Sequence, residues 1–224
     1  MSVERPSARR NRFSLFGFEV FKGVFTPFRS RVFDELDAVL PTRRSPTDTA
    51  GRRTVPDVLG RSPALAEALS RAGLEDMAAD LLDTSVVPVY GEAGEYPGET
   101  CWHTGTEVRS PRLVTFVLHD RRPDTPGGAL CVLPGSHRNP SAYPTGIVAA
   151  AEIPGHVPDV GPGDVIALDP RMRRSVRGGQ AGRRITVTYA GRPDGPAARR
   201  ELESTRLAMA DRTVAAAPQG RLVR

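Results

Sequence analysis

From residue 84 onward the chain is written as short β-rich runs cut apart by turn clusters, and this pattern limits the fold more than anything else in the sequence. The runs fall at 84–90, 100–107, 112–119, 129–133, 146–152, 164–168 and 184–190. Between them stand Pro97-Gly98, the stretch from Pro123 to Gly128, Pro134-Gly135, Gly161 to Gly163, and Gly178-Gly179. Short strands with Gly and Pro punctuation build sandwiches and barrels. The 22 Gly and 21 Pro suit that architecture and not a helical bundle.

The N-terminal part has a different texture. Phe18 to Phe25 reads as a strand interrupted near its end by Gly23. Thr26-Pro27 opens a helix to about Leu40, with Phe28, Val32, Phe33, Leu36 and Val39 near helical spacing. Residues 41–58 are polar and loop-like. Ser62-Pro63 is an N-cap and first-turn pair for a helix to about Ala72. Gly73 breaks it, and Leu74 to Leu82 continues helically. Residues 1–12, basic and aperiodic, read as a disordered tail. One domain is expected over 13–192, followed by a C-terminal helix and tail over 193–224, with the helix at about 194–216. The expected class is mainly β with flanking helices packed on one sheet of a sandwich or jelly roll.

Bulk properties exclude several functions. No apolar run approaches the roughly 20 residues needed to span a membrane. The N-terminus lacks the apolar core of a signal peptide. Two cysteines, Cys101 and Cys131, without short-spaced pairing fit a reducing compartment, so a cytoplasmic protein is expected. Net charge is +5, and nearly all the cations are Arg. That reads as the usage of a GC-rich genome. Nucleic-acid binding would call for a basic stripe with interleaved aromatics. Aromatics make up only 6%, and the arginines fall mostly in tails and loops, so no nucleic-acid partner is expected.

Three blocks in order carry a family resemblance. They are Tyr96-Pro-Gly-Glu-Thr-Cys-Trp-His-Thr-Gly105, Gly127-Gly-Ala-Leu-Cys-Val-Leu-Pro-Gly-Ser-His-Arg138 and Gly163-Asp-Val-Ile-Ala-Leu-Asp-Pro-Arg-Met-Arg-Arg174. Arg183-Arg-Ile-Thr-Val-Thr-Tyr189 follows, and Gly17-Phe-Glu-Val-Phe-Lys-Gly-Val-Phe-Thr-Pro27 precedes them. Together, over about residues 15 to 190, they resemble the phytanoyl-CoA dioxygenase family of iron(II)/2-oxoglutarate oxygenases. The resemblance implies a double-stranded β-helix, a cupin-like jelly roll.

It also implies a metal triad that this chain departs from. The family pattern is His-x-Asp on a strand, where alternation puts both side chains on one face, and a second His after the Gly-Asp turn. Carried over, the first His is His103. Gly105 stands at the Asp position and Arg174 at the second His position, with Arg173 there if the register slips by one. In related halogenases a Gly or Ala at the Asp position leaves room for a halide. An arginine, however, stays protonated and offers a metal no lone pair. One histidine does not hold iron against water. No cofactor is therefore expected; the alternative is Fe(II) with 2-oxoglutarate, with His103 as a metal ligand. Glu107 and Cys101 share a strand face with His103 by parity, whereas Trp102 faces the other way into the core. His119, Asp120, His137 and Asp169 belong elsewhere in the sandwich. His137 reads as structural, and Asp164 as the cap of its turn.

Six arginines lie within residues 171–184. In the resembled family one of them clamps the far carboxylate of 2-oxoglutarate through two parallel N–H donors. Arg183 shares parity with Ile185, Val187 and Tyr189 and is expected to face inward; Arg184 shares parity with Thr186 and Thr188 and is expected to face out. Arg171, Arg173 and Arg177 are expected in a solvated loop. A cavity holding Arg174 and Arg183 beside His103 would repel a cation and attract a carboxylate or phosphate.

Three functions follow. The first is a metal-independent, redox-neutral enzyme (cyclisation, isomerisation, elimination or hydrolysis) acting on a small anionic or polar molecule, in bacterial natural-product biosynthesis. His103 would be general acid or base, oriented by Glu107, with Arg174 at an oxyanion. Arg183, Arg184, Trp102 and Tyr96 would complete the substrate site. The second is an oxygenase or halogenase with a rearranged ligand set. The third is a non-catalytic binding or scaffold protein. The sequence does not decide oligomeric state.

Overall fold

The computed structural model describes residues 7–40, 53–96, 100, 102–105, 112–120, 127–139, 153–178 and 182–215. Helix α1 (Ala8–Phe16) leads into strand β1 (Phe18–Phe21). A single 3₁₀ turn (Thr26–Phe28) precedes α2 (Arg29–Val39). Then come β2 (Arg53–Pro56), α3 (Val58–Arg61), α4 (Pro63–Arg71) and α5 (Leu74–Leu82). The β-rich part holds β3 (Val86–Tyr96), β4 (Leu113–His119), β5 (Gly127–Val132), β6 (Val165–Leu168), β7 (Arg174–Gly178) and β8 (Gly182–Gly191), and α6 (Gly195–Ala215) closes the chain.

Among the described residues, six strands form one sheet in the order β1-β6-β4-β8-β3-β2, and β5 pairs with β7 in a second. Every pairing is antiparallel. Thr100 and His103 lie alongside β7. His103 and Arg174 exchange both backbone hydrogen bonds at 2.9 Å, and Thr100 N donates to Val176 O at 3.0 Å.

Alternation gives the first sheet two distinct faces. Phe116, Ile185, Val187, Val165 and Ala167 face the helices, where Phe33 and Leu36 of α2, Leu65 and Leu69 of α4, and Leu74 and Ala78 of α5 bury against them. Val117, Ile166 and Leu168 face the second sheet and meet Leu130 and Val132 of β5, with Met172 and Val160. Burying a side chain of this size contributes about 1.5–3 kcal/mol. Helix α6 packs through Met209 on Tyr90, Leu113 and Ala190. The expected architecture, mainly antiparallel β with helices flanking one sheet of a jelly roll, is the one observed.

The helix starting at Ser62 forms as expected, with its Oγ accepting from Leu65 N at 3.2 Å. Several boundaries differ. Residues 8–12 were expected in a disordered tail but belong to α1. The Ser7 side chain caps the helix by accepting from Arg10 N, Arg10 pairs with Asp83, and Arg12 pairs with Glu19. Residues 53–56, expected in a loop, pair with Glu92 to Glu95 of β3. The strand β7 was not expected, since Arg-Ser-Val-Arg-Gly shows no alternation of apolar residues. The expected strand at 146–152 lies outside the described residues.

Candidate functional site

Strand register fixes which side chains share the space between the sheets. On the second sheet, Val132 stands opposite Arg174 and packs toward Val117 and Ile166, so alternation turns Arg174 inward. His103 is the direct partner of Arg174 and shares its face. Gly105 completes the group. A Cβ added there would lie 2.6 Å from Arg174 Nη2 and 3.1 Å from its Cζ. The guanidinium thus occupies the space into which a side chain at residue 105 would project. His103 is exposed, while Arg174 is half-buried.

On the first sheet the same face carries Thr115, Val117 and His119 of β4. On β8 it carries Arg184, Thr186 and Thr188. Thr115 and Thr188 are buried register partners whose hydroxyls lie 2.8 Å apart. His119 stands opposite Arg184. Burial pushes the His119 imidazole down to about 3, and the positive charge of Arg184 adds to the effect. The ring is neutral at physiological pH. Its Nε2 is enclosed and has no hydrogen-bond partner among the described residues.

This arrangement corrects the expectation for β8. Arg183 does share a face with Ile185 and Val187, but that face is the one covered by helices. Its guanidinium donates to Asp120 Oδ2 through Nε at 2.9 Å and Nη2 at 2.5 Å, pairs with Asp37 of α2, and lies 5.5 Å from the Phe33 ring centroid. Arg29 closes on the same Asp120. Arg183 is a strut between α2 and the sheet, and Arg184 is the arginine that faces the second sheet. The reason is simple: in a sheet with helices on one side, the apolar stripe marks the helix side and not the inside of the jelly roll.

Other expected residues are distributed as follows. Trp102 is buried on the far face of the second sheet with Cys131 and Leu133, and so does not reach the inter-sheet space where a substrate-binding role would need it. Tyr96 ends β3 opposite Gly182. Glu107 and Cys101 lie outside the described residues. Arg171 is held by Asp169 and Arg173 is buried, so neither is a freely solvated loop residue. Asp164 accepts from Gly161 N at 2.7 Å and Gly23 N at 2.8 Å, the capping role expected of it. His137 is structural as expected: it is buried, its Nε2 lies 3.2 Å from Ser14 O, and burial lowers its pKa. His119, expected elsewhere in the sandwich, instead stands opposite Arg184 on the face toward the second sheet, where its parity with Thr115 and Val117 puts it.

Among the described residues, no group of three or more His, Cys, Asp or Glu is placed to hold a metal ion. No described helix is long and apolar enough to cross a membrane.

No family model matches the chain, and no curated protein sequence matches it. Solved structures do. EctD from S. alaskensis, with bound Fe, superposes with a TM-score of 0.66 at 20% identity, over 85% of this chain and 79% of its own. HygX from Streptomyces hygroscopicus, with nickel, 2-oxoglutarate and hygromycin B, gives 0.66 at 18% identity, over 82% and 86%. SnoN, a non-heme alpha-ketoglutarate-dependent epimerase from nogalamycin biosynthesis, gives 0.63 at 15% identity, over 82% and 81%. The chain therefore has the double-stranded β-helix fold on which these metal- and 2-oxoglutarate-binding proteins are built.

Proposed function

We propose that this protein is a metal-independent, redox-neutral enzyme that binds a small anionic molecule between the two sheets of a dioxygenase fold. One observation carries the reading: the Arg174 guanidinium lies over Gly105 and beside His103. On the resemblance to phytanoyl-CoA dioxygenases these are the three ligand positions, and the backbone pairing of His103 with Arg174 supports that register. The residues present do not fit iron(II). One imidazole remains, a glycine offers no donor, and the permanently charged guanidinium offers no lone pair and repels a second cation.

The chemistry left is acid–base and electrostatic. His103 is exposed and is suited to hold or move a proton on a bound substrate. Arg174 lies next to it and can stabilise an oxyanion or hold a carboxylate. Arg184 adds a second positive charge from the first sheet, and neutral His119 beside it supplies a hydrogen-bonding nitrogen that carries no charge. The site thus favours anions and discriminates against cations. SnoN and HygX, whose fold this chain shares, are linked to nogalamycin biosynthesis and to hygromycin B, which supports a natural-product setting.

Anaerobic reconstitution with iron(II), desalting and metal analysis tests the reading. The expected content is well below one iron per chain, and a content near one would favour an oxygenase with a rearranged ligand set. Gly105→Asp alone is expected to pair with Arg174 and bind no metal. Gly105→Asp with Arg174→His rebuilds three donors and is expected to gain iron binding.

A further inference from the structure

Trp102, Cys131 and Leu133 form a buried cluster on the outer face of the second sheet, the face turned away from the first. Register extends that cluster onto β7 and the residue before it. Cys131 stands opposite Ser175, and Leu133 N donates to Arg173 O at 3.0 Å. Arg173 and Ser175 flank Arg174, so alternation turns them to the outer face as it turns Arg174 to the inner one. Three donors therefore border one apolar cluster: the Arg173 guanidinium, the Trp102 indole N–H and the Ser175 hydroxyl. Their residues are 7%, 4% and 0% exposed. Arg173 Nε, Trp102 Nε1 and Ser175 Oγ each lack a hydrogen-bond partner among the described residues.

A buried guanidinium whose enclosed Nε–H has no acceptor is unfavourable, as are other enclosed donors left unpaired. Arg and Trp side chains donate only, and a serine hydroxyl is free to turn its hydrogen toward them. Such a group lacks a negative charge, and one arginine calls for one. We propose that this outer face binds a single small monovalent anion, a halide or a carboxylate, between Arg173, Trp102 and Ser175. The anion neutralises Arg173 and ties the 100–105 segment to β7, the pairing that sets His103 against Arg174. It sits behind the candidate active site, and its existence does not depend on what reaction that site performs.

Trp102 is the only tryptophan, so its fluorescence reads this site directly. At 4% exposure, random collisions with a quencher contribute little. The full chain in gluconate, titrated with bromide at constant ionic strength, is expected to show saturable quenching and a raised melting temperature. Recovery of fluorescence on adding formate identifies a carboxylate site, recovery with chloride alone a halide site, and either supports the proposal. Arg173→Met is expected to weaken the bromide response roughly 10- to 100-fold, the effect of losing a charge-assisted contact. Ser175→Ala, a milder variant, is expected to weaken it several-fold, whereas Arg184→Met leaves it unchanged. Quenching that stays linear in bromide overturns the proposal. So does an Arg173→Met protein more stable than the wild type in both bromide and gluconate, because the guanidinium is then only an unpaired charge.

Discussion

On the helix-covered face of the first sheet, Arg183 and Arg29 close on Asp120, and Asp37 takes the remaining arm of Arg183. One residue along the same strand, on the opposite face, Arg184 stands beside a neutral histidine. Behind the second sheet, the enclosed Nε of buried Arg173 has no hydrogen-bond partner among the described residues. The first region balances its charges with its own side chains and spends them on holding a helix to a sheet. The face toward the second sheet instead sets Arg184 against a histidine. Adjacent arginines of one sequence pair thus face the helices and the proposed site, and sheet alternation alone assigns them.

The sharpest way to break this contrast is to remove the shared carboxylate. Asp120→Ala leaves two arginines facing each other and is expected to lower unfolding free energy by about 2–4 kcal/mol in urea titrations. A loss below about 1 kcal/mol would mean the helix face does not rely on its charges. Next, Arg183→Leu is expected to cost about 1.5–3 kcal/mol of stability and leave succinate binding unchanged by calorimetry. Arg184→Leu is expected to do the reverse, weakening succinate binding while costing less stability. Interchanged results would place the anion site on the helix side.

The histidine beside Arg184 gives a subtler test. Its folded pKa, about 3, lies below the ordinary value of 6.5, so the unfolded chain binds the extra proton between those limits. Its contribution is complete above about pH 6.5 and is lost as pH falls toward 3, at up to about 1.4 kcal/mol per pH unit. His119→Gln should flatten the stability profile in that window alone. An unchanged slope would show that the imidazole is solvated. The smallest effect is expected at Gly105. Gly105→Ala meets only the far end of a flexible side chain, so Arg174 can swing aside for less than about 1 kcal/mol, read as a shift in melting temperature. A larger loss would show a guanidinium locked in place.

Much of this was legible in the sequence. Turn clusters and apolar runs located most strands, Ser62-Pro63 marked a helix start, and the family blocks singled out His103 and Arg174, which the structure pairs through their backbones. Parity separated Arg183 from Arg184 but could not say which face was which, because an apolar stripe looks the same under helices as inside a barrel. Strand β7 and helix α1 escaped for a related reason. Both are rich in arginine and are held by partners distant in sequence, Cys131 and Val132 for β7 and Asp80 for α1. Local pattern carries no trace of such partners.

The order of strands has a consequence for how the chain is made. Strand β8, the last strand among the described residues, lies between β4 and β3, and among the described residues β1 pairs only with β6, about 150 residues downstream. Until residue 191 has emerged, β3 and β4 present open edges with no neighbour on that side. The sheet therefore closes only once β8 is available. A nascent chain stalled short of β8 exposes Val86 to Tyr96 and Leu113 to His119 to other strands, the condition under which β-proteins aggregate.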